Sequence, residues 1–156
     1  MSKQPLKYKK LSKNNVSDYI DYAKRVIAAE PFLNEVECVD EQSVLKRLSD
    51  KFFKSTTSIL AYRGEKVVGR LSYHFYGCTV DGARMAYVDW ICTQKDERHG
   101  GVAQGLFKRF EKECRKHGIE QYYLIAAEND EAKSFYGAFK DCETKLQPIL
   151  RKNIVK

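Results

Sequence analysis

The sequence predicts an α/β (α+β) fold in which one mixed, mostly antiparallel sheet is flanked by helices. Three observations carry that prediction. Apolar residues alternate through residues 58–62, 67–76 and 85–93, with the turn signals Gly64 and Asp81-Gly82 between the runs. Apolar spacings of three and four recur on both sides of this block. At 156 residues the chain is long enough for one sizeable core and too short for two ordinary domains, so a single domain over 1–156 is expected.

The elements follow in order. Residues 6–11 alternate loosely with lysines and read as a first strand. Val16, Ile20, Ala23, Val26 and Ile27 then share a helical face until Pro31 stops the run. Val44, Leu45, Leu48 and Phe52 mark a second helix, with Asp40 or Ser43 placed to cap it. Within 67–76, Val67, Leu71, Tyr73 and Phe75 are expected on one face and Arg70, Ser72 and His74 on the other. Residues 85–93 (MAYVDWICT) are too apolar for a solvated edge and read as a central strand. Leu106, Phe107, Phe110 and Cys114 define the clearest helix, closed by Lys116-His117-Gly118. Residues 121–127 are expected to be a short buried strand, and Asn129 to cap a helix carrying Ala132, Phe135 and Tyr136. Residues 142–152 complete the chain as an extended segment interrupted by Pro148. The predicted order is β-α-α-β-β-β-α-β-α-β.

Composition narrows the function classes. No apolar run is long enough to span a bilayer, and the opening MSKQPLKYKKLSKNN has no apolar core behind its lysines. A cytoplasmic protein is expected, with no membrane partner. The cysteines Cys38, Cys78, Cys92, Cys114 and Cys142 are odd in number and never stand as Cys-x-x-Cys, and only His74, His99 and His117 could assist them, so neither a disulfide framework nor a metal site is supported. The net charge of +7 suits a phosphate-bearing cofactor, a nucleic acid, or simply a solvated basic surface. No helix-turn-helix, zinc-finger or aromatic RNA-binding pattern appears, and no nucleic-acid partner is expected.

One short stretch stands apart. RHGGVAQG, residues 98–105, crowds three glycines and a basic pair into the start of the clearest helix. A strand that runs into a helix through residues without bulk leaves backbone N–H groups unpaired and pointing outward. Such groups bind anions: Gly100 and Gly101 let a ligand approach the main chain, Ala103 adds little bulk, and Arg98 supplies a full positive charge beside the helix dipole. The spacing is neither Gly-x-Gly-x-x-Gly nor the nucleotide-hydrolysing P-loop.

Arg98, Gly101 and Ala103 match Arg/Gln-x-x-Gly-x-Gly/Ala, and Asn129, Ala132, Phe135 and Tyr136 match Asn-x-x-Ala-x-x-Phe-Tyr. In these two motifs, about thirty residues apart, the sequence resembles the GNAT superfamily of acyl-CoA-dependent N-acyltransferases. The resemblance implies a central sheet of six to seven strands with about four helices, and a splay between the fourth and fifth strands. It also implies acetyl-CoA as co-substrate, no metal, and direct acetyl transfer to a primary amine of a small molecule or protein.

The resemblance implies roles by position. The main chain of Ile91, Cys92 and Thr93 would pair with the pantetheine arm. Arg98 and the amides of His99, Gly100, Gly101, Val102, Ala103 and Gln104 would hold the pyrophosphate. Asn129 would hydrogen-bond near the pantetheine, Phe135 would join the cofactor-binding residues, and Tyr136 would stand beside the thioester sulfur as general acid. A backbone N–H near Cys92 would face the developing oxyanion. Some relatives carry a glutamate five residues before the asparagine; here that position is Leu124, which cannot accept a proton. Asp89 is the substitute general base. Strand alternation would put it on the face of Tyr87, Ile91 and Thr93, where it either accepts the proton or pairs with Arg70, Arg84 or His74, and a water chain is the other route.

Two departures stand beside these matches. His99 occupies a position often glycine in the family, and Gly137-Ala138-Phe139 replaces a Gly-Phe pair. A catalytically silent CoA-binding sensor of the same fold is the alternative reading, and a homodimer is compatible with either. Polyamines, aminoglycosides, amino acids and protein amino groups all remain candidate acceptors. The positive net charge favours small neutral or anionic amines, whereas Glu30, Glu35, Glu37 and Asp40 would favour cationic ones.

Overall fold

A computed structural model describes residues 4–33 and 39–154, so Glu35, Glu37 and Cys38 lie outside the described residues. Two compact units emerge, Met1–Ile125 and Ala126–Lys156. The first holds strands β1 (Leu6–Lys10), β2 (Thr56–Arg63), β3 (Lys66–Gly77), β4 (Arg84–Thr93) and β5 (Gln121–Leu124), with helices α1 (Val16–Ala29), α2 (Glu41–Ser49) and α3 (Val102–Lys116). The second holds α4 (Asp130–Gly137). The sheet order is β1-β2-β3-β4-β5; the first four strands pair antiparallel and β5 joins β4 in parallel.

The expected element order holds as far as α4. The sheet has five strands among the described residues, against the six to seven expected. Residues 142–152 form no strand: Leu146 and Leu150 are almost fully exposed, so no buried face rewards extension, and Pro148 cannot donate to a ladder. β5 is shorter than predicted and only half-buried on one side, because it is the edge of the sheet.

Local chemistry sets the helix ends. α1 buries Val16, Ile20, Tyr22, Ala23 and Val26 and stops before Pro31. The Asp40 carboxylate accepts the N–H groups of Gln42 and Ser43 to start α2. That helix ends at Ser49, since Asp50 caps a separate 3-10 turn, Lys51–Ser55, and Phe52 is left exposed rather than helical as predicted.

Two β-bulges reset which residues share a face. Ala61 pairs with Gly69 but Tyr62 with Val67, so Val68 is an extra residue in β3. Val67 consequently packs with Tyr22, Val26, Leu60, Tyr62 and Cys92, not on the expected face of Leu71 and Tyr73. Tyr73 lies on the opposite face, with its ring 4.9 Å from that of Phe110 in α3. Ser72 pairs with Trp90 and Tyr73 with Val88, which makes Asp89 the extra residue of β4. α3 presses close to the sheet at Gly69, where a Cβ would stand 2.6 Å from Val102 Cγ1.

Candidate active site

β4 delivers the chain through a short 3-10 turn, Lys95–Glu97, to the mouth of α3. Gly101 stands at the N-cap with φ +77°, a left-handed conformation that glycine adopts without strain, and a Cβ there would meet only Gln104 Oε1, at an ordinary 3.9 Å. It has no side-chain cap, so the first-turn amides of Val102, Ala103 and Gln104 lack helical partners. The expected set of amides is trimmed at Gly100, whose N–H donates to the Glu97 carbonyl at 3.3 Å. Gly105 has a packing role instead, because a Cβ would collide with the Tyr8 hydroxyl.

Arg98 is also partly committed. Its Nη2 pairs at 2.5 Å with Oε2 of Glu30, a carboxylate 9% exposed at the end of α1. The positive charge expected at the helix mouth is thus largely matched within the protein. Sequence reasoning had no signal for this pairing across 68 positions, since Glu30 read only as a local acid.

β4 is paired with β5 only from Met85 to Val88. Beyond that point its outer edge, through Asp89, Trp90, Ile91, Cys92 and Thr93, has no strand partner among the described residues. The Cys92 carbonyl accepts the buried Tyr22 hydroxyl at 2.8 Å, so one expected contact for a ligand arm is shared with the protein. Burial pushes the Cys92 thiol up, which keeps it protonated and unsuited to nucleophilic attack. Thr93 Oγ1 is buried with no hydrogen-bond partner among the described residues.

The β4 bulge corrects the expected surroundings of Asp89. Its side chain shares a face with His74 and Tyr87, while Ile91, opposite Leu71, faces the other way. Asp89 Oδ2 lies 3.0 Å from His74 Nε2, and His74 Nδ1 lies 3.1 Å from Thr56 Oγ1. In the tautomer with Nε2–H, imidazole donates to the carboxylate and accepts from threonine. Of the three partners considered for Asp89, His74 is the one engaged. The dyad is about one-third exposed, open to exchange protons with substrate or water. His117 Nδ1 lies 2.9 Å from the Glu113 carbonyl at the carboxyl end of α3, a structural placement.

In the second unit, Asn129 Oδ1 accepts the Ala132 N–H at 2.8 Å and caps α4, as predicted. That oxygen is therefore spent on the helix rather than left for a ligand. Tyr136 is half-buried with its ring 5.2 Å from Phe135 and 5.7 Å from Phe139. Burial raises its phenol above the ordinary tyrosine range, so it holds its proton at neutral pH. No group of three or more His, Cys, Asp or Glu side chains able to hold a metal ion occurs among the described residues. No helix among them is long and apolar enough to cross a membrane.

The acetyltransferase (GNAT) domain model matches residues 7–140, nearly the whole chain and both motifs. The chain belongs to the GNAT acetyltransferase family. Solved GNAT structures share its fold. An aminoglycoside acetyltransferase from an uncultured soil metagenomic sample superposes with TM-score 0.78 at 18% identity, covering 97% of each chain. The ribosomal-protein-alanine N-acetyltransferase of Brucella melitensis biovar Abortus 2308 gives 0.75 at 15%, over 95% of this chain and all of that one. The glucosamine-6-phosphate N-acetyltransferase of Arabidopsis thaliana gives 0.76 at 13%, over 97% and 100%. No curated protein sequence matches.

Proposed function

We propose that residues 1–156 act as a single GNAT domain that transfers the acetyl group of acetyl-CoA directly to a primary amine. One juxtaposition carries this reading: uncapped first-turn amides at the mouth of α3 directly follow a β4 edge that has lost its strand partner and ends in the orphaned, buried Thr93 hydroxyl. Open main-chain groups and an unsatisfied hydroxyl suit an extended amide-bearing arm ending in a diphosphate. When bound, acetyl-CoA supplies a thioester carbonyl open to attack by an amine.

The residues divide the remaining work. Val102, Ala103 and Gln104 offer amides to the diphosphate, with Gly101 shaping the turn and His99 and Gly100 bordering it. The main chain of Ile91, Cys92 and Thr93 aligns the arm, and a β4 N–H near Cys92 stabilises the oxyanion. Asp89, held by His74, accepts the proton that the amine nitrogen loses as it attacks the thioester carbonyl. Tyr136 donates to the departing sulfur, a role its burial-raised pKa suits, with Phe135 and Asn129 beside the arm. The free cysteines Cys78, Cys92, Cys114 and Cys142 fit a reducing, cytoplasmic setting. The names of the structural neighbours speak of aminoglycosides, protein alanine and glucosamine-6-phosphate, which supports an amine as the acceptor class.

Calorimetric titration with acetyl-CoA, followed by an amine panel read through release of free thiol, tests the proposal. Saturable binding with turnover is expected, and Asp89→Asn should lower kcat by about 10²-fold with acetyl-CoA affinity unchanged. Absence of binding at millimolar acetyl-CoA would overturn it.

A further inference from the structure

Arg70 carries a charge that nothing in the described structure answers. Its guanidinium carbon sits over the ring faces of Tyr19 and Trp90, 5.4 and 5.5 Å from their centroids. Nη1 donates to Ser72 Oγ at 3.1 Å, and Ser72 Oγ in turn lies 2.6 Å from Ser58 Oγ. Nε is buried with no hydrogen-bond partner among the described residues. Glu30, Asp89 and Asp18 have other partners: Arg98, His74 and the Tyr62 hydroxyl respectively. An arginine has five donors, and only one is used here.

The same arginine lines a small cavity of about 30 Å³ together with Tyr19, Tyr22, Val26, Trp90 and Cys92. Apolar and aromatic walls lower the local dielectric, so an uncompensated guanidinium is costly there and an anion placed beside it is held strongly. Aromatic faces offset part of that cost, but they supply no acceptor for the N–H groups. The missing acceptor is planar: the guanidinium fork matches a carboxylate with two parallel hydrogen bonds.

We infer that Arg70 anchors the carboxylate of the acceptor, which makes the acceptor an amino acid or another small amine bearing a carboxylate. This rests on the acetyltransferase reading and narrows it. Cys92 belongs both to the cavity wall and to the β4 edge assigned to the thioester arm, and Asp89 precedes Trp90 of the same wall. A molecule held at Arg70 by its acid end therefore has the proposed base and the β4 edge within the same stretch of strand. Polycationic acceptors such as aminoglycosides would instead set ammonium groups against an unanswered guanidinium.

Trp90 is the only tryptophan, so its fluorescence reports on this cavity directly and without turnover. Titration with butyrate at millimolar concentration should change the emission saturably, whereas butyramide, alike in shape and uncharged, should bind about tenfold to a hundredfold more weakly. Arg70→Gln should abolish the difference, and Arg70→Lys should retain part of it. In the enzymatic arm, L-amino acids should exceed their carboxamides in kcat/KM by a similar factor, and Arg70→Gln should remove that preference. Equal response to butyrate and butyramide in the wild-type protein, which requires no variant to fold, would overturn the inference. So would a preference that survives Arg70→Gln. Carboxylate binding without any affinity for acetyl-CoA would sustain the Arg70 site while rejecting the acetyltransferase reading.

Discussion

Arg98 Nη2 and Glu30 Oε2 form an ion pair that fastens the glycine-rich loop to the end of α1. The carboxylate is nearly buried and the guanidinium one-quarter exposed, so removing the cation strands a charge away from water. Arg98→Ala should cost about 3 kcal/mol in urea denaturation, and Glu30→Gln, which leaves a neutral acceptor beside the guanidinium, about 1 kcal/mol. Small and equal losses would mean that solvent screens the pair.

Gly69 is where the sheet and α3 come closest. A methyl group there meets Val102 Cγ1 at 2.6 Å and Leu106 Cδ1 at 3.2 Å, both fully buried. Gly69→Ala should destabilise the protein by about 1–3 kcal/mol through overpacking, and should weaken acetyl-CoA binding as the first turn of α3 is pushed outward. Denaturation and calorimetry on the same variant check both outcomes.

Tyr136→Phe should lower kcat by about 10²-fold while leaving the affinity for acetyl-CoA unchanged. Since burial raises the phenol pKa, the acid form persists beyond the ordinary tyrosine range, and the alkaline loss of activity should begin above it. The pH–rate profile of the phenylalanine variant should lack that alkaline limb.

Glu113 lies nearly buried on α3, 2.8 Å from Lys10 Nζ and 3.2 Å from Arg109 Nη2. The hydrogen bond from Lys10 outweighs burial and lowers its pKa. A carboxylate with a depressed folded pKa contributes stability that is present above its unfolded pKa and lost as pH falls through the folded value. Thermal stability should therefore decline on the acid side of the ordinary glutamate range. Glu113→Gln should be less stable at neutral pH and show a flatter decline there.

Much of the framework was legible because single elements declare themselves. Leu106, Phe107, Phe110 and Cys114 fix the buried face of α3, and Asn129 fixes the start of α4 by the hydrogen bond its side chain makes. What escaped depends on pairing between elements. A bulge leaves no mark on the periodicity of its own strand, so the faces of Val67 and Asp89 were misread. The last segment offered leucine and isoleucine without a surface to cover, and a strand was predicted where none forms. Gly105 carried no reading beyond its place among the three glycines, and its small size serves Tyr8. Arg98, Gly101 and Asn129 were found by motif, but the Glu30 partner, the His74–Asp89 dyad and the solitary charge of Arg70 needed three dimensions.

Asp89 acts as a frameshift written into the sheet. Upstream of it, Ala86 and Val88 are the buried members of β4; downstream, Trp90 and Cys92 line the Arg70 cavity. Flattening the bulge with Asp89 kept, so that it paired opposite Ser72, would transpose every later side chain, sending Trp90 and Cys92 toward α3 and Ile91 toward the cavity, whereas deleting the residue would restore regular alternation with each of them on its present face. The offset thus matters to the cavity only while Asp89 is present: the strand should tolerate many replacements of Asp89 as a fold, and its deletion would remove the proposed base without moving Trp90 or Cys92 off the cavity wall.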